Sequence, residues 1–187
     1  MTANLETVLT IADLELMPDD GNVYEMIEGE IIVSRAPDLL HQDVSLNLGQ
    51  SIKNFLDQNP IGKVWVTPGV IFDDFNSVIP DLAFVSRERL DEIIKEGRIK
   101  GAPDLMIEII SPGAENRRRD RVVKKQTYGK FGVREYWVID PENRTVEIYR
   151  LDGREMKLAA TLTGEDEITS SLLAGYRFEV ESMFATL

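Results

Sequence analysis

Three residues in the middle of the chain have the chemical types that make up a divalent-metal site. Asp81 follows Pro80 at the start of one apolar run, Glu108 lies inside the next, and Lys124 follows on a segment with helical spacing. Carboxylates on adjacent strands suit a hard cation such as Mg²⁺, which can polarise a phosphoryl oxygen. A lysine nearby could neutralise charge that develops on the phosphate. The three residues therefore predict metal-assisted cleavage of a phosphodiester.

The surroundings of Glu108 and Lys124 support this interpretation. Ile107 and Ile109 flank Glu108 in a nearly continuous apolar run. An ionised carboxylate in such a strand costs several kcal/mol unless a basic partner or a cation compensates it. Lys124 lies at the edge of an apolar helical stripe, and Asp120 and Tyr128, four residues on either side, share its face.

Each of these residues also has a structural explanation. A Pro-Asp pair before a strand commonly marks a turn, as it would at Asp81. Glu108 could form a structural ion pair at the edge of a strand, and Lys124 alone could be a solvent-exposed lysine. The order and spacing of the three together favour the metal site.

Hydrophobic periodicity predicts the elements that must position these residues. Residues 24–33 have the pattern of a hairpin around a Glu-Gly turn, and residues 41–56 and 115–131 have helical spacing. Residues 79–85 and 105–110 are apolar runs of strand length, the second typical of a central strand. We expect an α/β fold, a mixed β-sheet flanked by helices with antiparallel hairpins at the edges. We expect one domain over residues 1–187, with residues 1–22 as an N-terminal arm packed on it.

Composition limits the kind of site and the compartment. The chain has no cysteine and one histidine, His41, which excludes thiolate zinc sites and argues against sites with several imidazoles. Oxygen ligands remain. No apolar stretch approaches the roughly 18 residues of a membrane span, and the N-terminus shows no secretory pattern. We therefore expect a cytoplasmic protein without a membrane segment.

The net charge of −12 argues against a nucleic-acid partner, because basic surface usually drives binding to the phosphate backbone. Basic residues are nevertheless concentrated in residues 117–130. This run could dock a phosphate strand on an otherwise acidic protein, or it could be a solvated helix face.

Several segments in a fixed order resemble a known family. They are YEMIEGEIIV at residues 24–33, IPDLAFV at 79–85, PDLMIEIISP at 103–112, and DRVVKKQTYGKFGVREYWVIDP at 120–141. Over nearly the whole chain, the sequence resembles the Uma family of bacterial endonucleases. That family, formerly a domain of unknown function, is placed in the PD-(D/E)XK restriction-endonuclease-like superfamily.

The resemblance implies a role for each central residue. Asp81 and Glu108 match the two acidic metal ligands of the superfamily. The superfamily's lysine usually follows the second acid by two residues, but Ile110 occupies that position. The resemblance implies that the lysine has moved to the next helix as Lys124, and the adjacent Lys125 leaves that assignment open.

The resemblance adds two further candidates and sets one aside. Glu25 matches an acid of the family's opening hairpin and could complete the metal site or orient a ligand. His41 could donate to a phosphate or a scissile oxygen, although a histidine at a helix start is also often a cap or a packed side chain. Asp104, in a second Pro-Asp pair, precedes the strand of Glu108 and is not expected in the site.

The predicted function is that of a nuclease that uses Mg²⁺ or Mn²⁺ to hydrolyse phosphodiesters in nucleic acid, with DNA as the favoured substrate. Two alternatives remain open: an accessory module of the same fold that binds nucleic acid or protein without cleaving, and a hydrolase of a small phosphorylated molecule. A homodimer is one arrangement compatible with the sequence, and Trp65 is a candidate exposed apolar contact.

Overall fold

The structure is a computed structural model that describes residues 8–184. Its strands form two six-stranded mixed sheets and a two-stranded ribbon. The strands are β1 (Val23–Ile27), β2 (Glu30–Ser34), β3 (Gly62–Val66), β4 (Val70–Asp73), β5 (Asn76–Val78), β6 (Leu82–Ser86), β7 (Ile94–Lys95), β8 (Arg98–Lys100), β9 (Leu105–Ile109), β10 (Glu135–Asp140), β11 (Thr145–Asp152), β12 (Glu155–Thr163), β13 (Glu167–Ile168) and β14 (Phe178–Glu179).

Short helices and one long helix connect and cover the sheets. The α-helices are α1 (Ile11–Leu14), α2 (Leu39–Gln58), α3 (Leu90–Ile93), α4 (Ala114–Arg118), α5 (Lys125–Phe131) and α6 (Val180–Met183). A 3₁₀ turn at Arg87–Arg89 precedes α3, and a π-helical segment at Arg119–Lys124, called the π segment below, joins α4 to α5. None of the helices in residues 8–184 is long and apolar enough to cross a membrane.

The central sheet has the strand order β12-β11-β10-β9-β6-β3. Strands β9 and β10 are parallel, whereas their other pairings in this sheet are antiparallel. Every residue of β9 and of β10 is buried. This burial explains the continuous apolar run of residues 105–110, because a strand covered on both faces needs no polar side.

Helix α2 covers one face of the central sheet. Asp38 caps the helix by accepting a hydrogen bond from the backbone N–H of His41, at 2.9 Å. The helical stripe of Val44, Leu48 and Ile52 is fully buried in the core cluster that includes β6, β9 and β10. The helix therefore holds its first turn, with His41, at a fixed place against the sheet.

The second sheet contributes to the core on the opposite face, together with α5. Its strand order is β2-β1-β5-β4-β8-β7. The hairpin of β1 and β2 turns through Glu28 and Gly29, whose φ values of 54° and 77° are those of a two-residue turn with left-handed backbone. Met26 pairs with Ser77 of β5, and this pairing joins the hairpin to the rest of the sheet.

The predicted α/β class, with mixed sheets, flanking helices and antiparallel hairpins, is confirmed. The structure adds a second six-stranded sheet that the sequence had not indicated. Seven residues of the predicted N-terminal arm, residues 1–7, lie outside the described residues. The expected exposure of Trp65 is wrong, because its side chain is partly buried against the core.

Helix α3 is shorter than the apolar spacing of its segment indicates. The apolar spacing after Ser86 indicates a helix up to Gly97, but α3 ends at Ile93. The chain then forms the small hairpin of β7 and β8. Glu96 and Gly97 form its turn with φ values of 52° and 76°, again the left-handed pair that a two-residue hairpin turn requires.

Candidate active site

The sheet register brings Asp81 and Glu108 side by side. Strand β6 pairs antiparallel with β9, and Leu82 lies opposite Ile107. One step further along this register, Asp81 lies opposite Glu108, and cross-strand neighbours point to the same face of a sheet. The backbone N–H of Ile109 donates to Oδ2 of Asp81 at 2.7 Å. This bond fixes the Asp81 carboxylate against β9.

Lys124 joins two acids from different sheets. Its Nζ lies 3.0 Å from Oε1 of Glu108 and 2.9 Å from Oε1 of Glu25. The Lys124 side chain is only 2% exposed. Glu25 belongs to β1, and its Oε1 also accepts a hydrogen bond from the backbone N–H of Ile79 at 2.8 Å. The buried ammonium therefore ties the β1 hairpin to the central strand.

The π segment sets the direction of Lys124. Asp120 and Lys124 are the buried residues of this segment, and Tyr128 follows on the same side, as predicted from their spacing. The Tyr128 hydroxyl donates to Oε1 of Glu108. Lys125 lies instead with its Nζ 4.8 Å from the centre of the Tyr149 ring. Of the two adjacent lysines, only Lys124 reaches the acids.

His41 contacts Asp81 from the first turn of α2. Its Nε2 lies 3.3 Å from Oδ1 of Asp81. Its Nδ1 is buried and has no hydrogen-bond partner within residues 8–184. Burial works to lower the pKa of His41, but the hydrogen bond and the charge of Asp81 outweigh it and raise the pKa. The imidazole is therefore placed to hold the second oxygen of Asp81.

All five residues predicted from the sequence line one pocket of about 100 Å³. We call it the acidic pocket. The pocket also includes hydroxyl and arginine side chains at its walls, namely Ser34, Arg35, Thr67, Ser111 and Arg119. A groove of about 730 Å³ along the exposed side of α2 adjoins it and shares His41, Thr67 and Asp81. An extended ligand could follow this groove into the pocket.

A family model matches residues 11–181 of the chain, and its family, Uma2, is described as "Putative restriction endonuclease". The chain belongs to the Uma2 family. This match confirms the resemblance seen in the sequence. No curated protein matches the chain.

The Uma2 chain also resembles a solved structure. That structure is described as a crystal structure of "a putative nuclease belonging to DUF820" from Anabaena variabilis ATCC 29413. The two chains superpose with a TM-score of 0.76 at 22% sequence identity, over 94% of this chain and 97% of the other. At this identity, the likeness shows that the fold is shared.

Negative charge is in excess around the acidic pocket of the Uma2 chain. Burial raises the pKa of Glu108, Lys124 lowers it, and the charges of Asp120, Asp81 and Glu25 raise it further, so that it lies well above its usual range. Burial also acts to lower the pKa of Lys124, but the charges of Glu108, Glu25 and Asp120 raise it overall and keep the ammonium charged. Four carboxyl groups, those of Glu25, Asp81, Glu108 and Asp120, thus lie near the buried Lys124 and the partly buried Arg119.

A divalent cation fits this donor set. Carboxylate oxygens are the donors that Mg²⁺ and Mn²⁺ prefer, and a bound cation would favour the ionised form of Glu108. Within residues 8–184, no three His, Asp or Glu side chains are grouped closely enough to hold a metal by themselves. The protein could therefore supply Asp81 and Glu108, with water and substrate oxygens completing the shell, as is usual for Mg²⁺.

Three features of the site escape sequence reasoning. They are the π segment and the places of Arg35 and Arg119 in the lining of the pocket. All three depend on how the hairpin of β1 and β2 packs against the segment after β9. The only sequence signal for Arg119 was its place in a basic run. Asp104 does not line the acidic pocket; it accepts hydrogen bonds from the Ser86 backbone, Arg89 and Arg134.

Proposed function

We propose that this protein is a divalent-metal-dependent nuclease that hydrolyses phosphodiester bonds in nucleic acid, with DNA as the favoured substrate. The observation that carries the proposal is that Asp81 and Glu108 line one pocket, with the buried ammonium of Lys124 at 3.0 Å from Glu108. Its membership of the Uma2 family supports the same class of activity. A cytoplasmic location, expected from the sequence, is part of this proposal.

Asp81 and Glu108 would hold the metal, Mg²⁺ or Mn²⁺. The bound ion supplies a Lewis acid that withdraws charge from the scissile phosphate. The remaining contacts in the pocket orient these two ligands. His41 and the backbone N–H of Ile109 fix the Asp81 carboxylate, while Tyr128 donates to Glu108.

Lys124 would act as a fixed positive charge. Its raised pKa means that Nζ keeps its proton at neutral pH, so it cannot serve as a general base. From a position between Glu25 and Glu108, the ammonium can stabilise negative charge that develops on a phosphate oxygen. Glu25 would keep the ammonium in place.

Cleavage of supercoiled plasmid and of single-stranded DNA tests the proposal. We expect wild-type protein to cut with Mg²⁺ or Mn²⁺ and not with chelator. Asp81→Ala and Glu108→Ala should each reduce the rate about a thousandfold, equivalent to about 4 kcal/mol of transition-state stabilisation. Glu115→Ala, which removes an exposed carboxylate, is the matched control and should cut as wild type does. Wild-type protein that cuts nothing with either metal would refute the enzymatic claim.

A hydrolase of a small phosphorylated molecule is a second candidate. The small volume of the acidic pocket and the net charge of −12 favour it, because neither feature favours a long polyanion. Hydrolysis of small phosphodiesters by wild-type protein, with no cleavage of DNA or RNA, would select this candidate. An accessory module would bind nucleic acid or protein and leave every phosphodiester intact.

A further inference from the structure

Most of the basic residues between positions 117 and 130 are engaged in contacts within the protein. Arg117 pairs with Glu142, Arg121 pairs with Asp140 and Glu147, and Lys130 pairs with Glu28. Lys124 and Lys125 are engaged by the acids and by Tyr149. These contacts reduce the number of cations in the basic run that are free to meet a polyanion.

Arg119 differs from the other basic residues because it faces the acidic pocket. Its Nε donates to Oδ1 of Asp120 at 3.2 Å, and its Nη1 donates to Oγ of Ser34 at 2.9 Å. The side chain is 18% exposed and forms part of the pocket wall. A guanidinium has five N–H donors, so the two contacts orient Arg119 and leave donors for a ligand.

Arg35 lies next to Ser34 at the end of β2 and lines the same pocket. The side chain is exposed, and it forms no ion pair or hydrogen bond with the residues that the structure describes. The bond from Arg119 to Ser34 places the Arg119 guanidinium beside the residue that precedes Arg35. Two guanidinium groups, one oriented and one uncommitted, thus lie beside Asp81 and Glu108.

We propose that Arg35 and Arg119 form a phosphate clamp that binds the backbone of a nucleic-acid strand at the acidic pocket. Arginine suits this role because its planar donors match phosphate oxygens in pairs. Arg119 would contact the phosphate inside the pocket and Arg35 a neighbouring phosphate of the same strand. The proposal rests on the proposed function and names the part of the substrate that the protein recognises.

The clamp explains how an acidic protein could hold a polyanion. The contacts are few and local, and they lie where the strand must be positioned rather than over the surface. A ligand with two successive phosphates would engage both arginines, whereas an isolated phosphate would engage one. The clamp therefore favours a strand over a mononucleotide.

Binding measurements with Ca²⁺ in place of Mg²⁺ test the clamp while slowing cleavage. Fluorescence anisotropy would follow a labelled single-stranded and a labelled duplex oligonucleotide with wild type, Arg35→Ala, Arg119→Gln and Arg119→Lys. We expect Arg35→Ala and Arg119→Gln to raise Kd about tenfold each. Each should also flatten the slope of log Kd against log salt by about one. Arg119→Lys should recover part of the affinity, because it keeps the charge but not the paired donors.

Arg118→Ala is the matched control, since Arg118 is adjacent to Arg119, exposed and outside the pocket wall. It should bind within about twofold of wild type. Arg35 is exposed, so its variant is expected to fold, and thermal unfolding would verify folding of the Arg119 variants. Variants of Arg35 and Arg119 that fold and bind as wild type does, with an unchanged salt slope, would overturn the clamp.

The failure of the clamp is distinguishable from the failure of the proposed nuclease. If wild type cuts DNA and the arginine variants bind normally, the nuclease stands and the clamp is wrong. If wild type cuts nothing but loses affinity on Arg35→Ala, the clamp stands on a non-catalytic binding module.

Discussion

At the scale of single residues, Lys124 and Lys125 differ in what surrounds them. Lys124 is buried between Glu25 and Glu108, and Lys125 is partly exposed over the Tyr149 ring. The two residues have the same chemistry and adjacent positions, so each is the natural control for the other. Separate substitutions of the two lysines test whether cleavage and stability need the buried ammonium.

Lys124→Met should abolish cleavage and lower the free energy of unfolding at pH 7 by about 3 kcal/mol. The loss follows because Glu25 and Glu108 would then share a buried negative charge without a cation. Lys125→Met should change both quantities little. Urea unfolding and plasmid cleavage measure the two effects, and equal consequences at positions 124 and 125 would contradict this account of the site.

Glu108 illustrates a conflict between stability and the proposed function. Burial and the neighbouring acids raise its pKa, so the ionised form is disfavoured in the folded protein. Glu108→Gln should therefore raise the free energy of unfolding in chelator by about 1 kcal/mol, the usual gain when a strained active-site group is removed.

With Mn²⁺ bound, wild type should become more stable than Glu108→Gln. An ion that binds only the folded protein stabilises it according to its concentration relative to Kd. Thermal unfolding with and without Mn²⁺ should show a rise in Tm for wild type and none for Glu108→Gln. An equal rise in both proteins would argue against Glu108 as a ligand.

At the scale of elements, Asp104 precedes β9 and connects it to the end of β6, at the opposite end of β9 from Glu108. It is fully buried and accepts from Arg89, from Arg134 and from the backbone N–H of Ser86. Burial acts to raise its pKa, but the Ser86 N–H and the two arginines lower it overall from 3.8. The ionised form is therefore favoured by folding.

Asp104→Asn should destabilise the protein by about 2 kcal/mol at neutral pH, because charged hydrogen bonds are lost. A lowered pKa gives stability that is present above the unfolded value of 3.8 and is lost as pH falls through the folded value. The difference between variant and wild type should therefore shrink below about pH 3.8. Urea unfolding across pH measures this difference in the free energy of unfolding, and Asp91→Asn, at an exposed position, is the control. A difference that stays constant down to pH 2 would contradict the prediction.

The elements differ in how well the sequence predicts them. The hairpin of β1 and β2 and the buried strand β9 follow from a Glu-Gly turn and a continuous apolar run, which are local signals. Strands β7 and β8 have two and three residues, too few for a period to show, and a helical spacing competes with them. Their hairpin depends on the left-handed turn at Glu96 and Gly97.

The residues of the site also differ in how well the sequence predicts them. Asp81, Glu108 and Lys124 were predicted from their order along the chain and the family resemblance, and the structure brings them together in one pocket. Arg35 and Arg119 were not predicted as site residues, because they line the same pocket only when the end of β2 contacts the π segment. Sequence spacing contains no information on that long-range contact.

At the scale of the whole molecule, charge pairing within the protein determines what remains for a ligand. The protein is acidic, and ion pairs within it engage most of the basic residues between positions 117 and 130. Few of these cations are therefore available for phosphate contacts. We expect the slope of log Kd against log salt for DNA binding to be about +2, one unit for each clamp arginine. A slope of about +6 or steeper would show a wide electrostatic interface elsewhere on the surface.

The central claim is that Asp81 and Glu108 together hold a divalent ion. A crystal of the protein soaked with Mn²⁺ tests it most directly, because anomalous scattering locates the ion. We expect one peak in the acidic pocket, within about 2.5 Å of a carboxylate oxygen from each residue. A saturating soak that places Mn²⁺ only elsewhere, or on neither carboxylate, would contradict the claim.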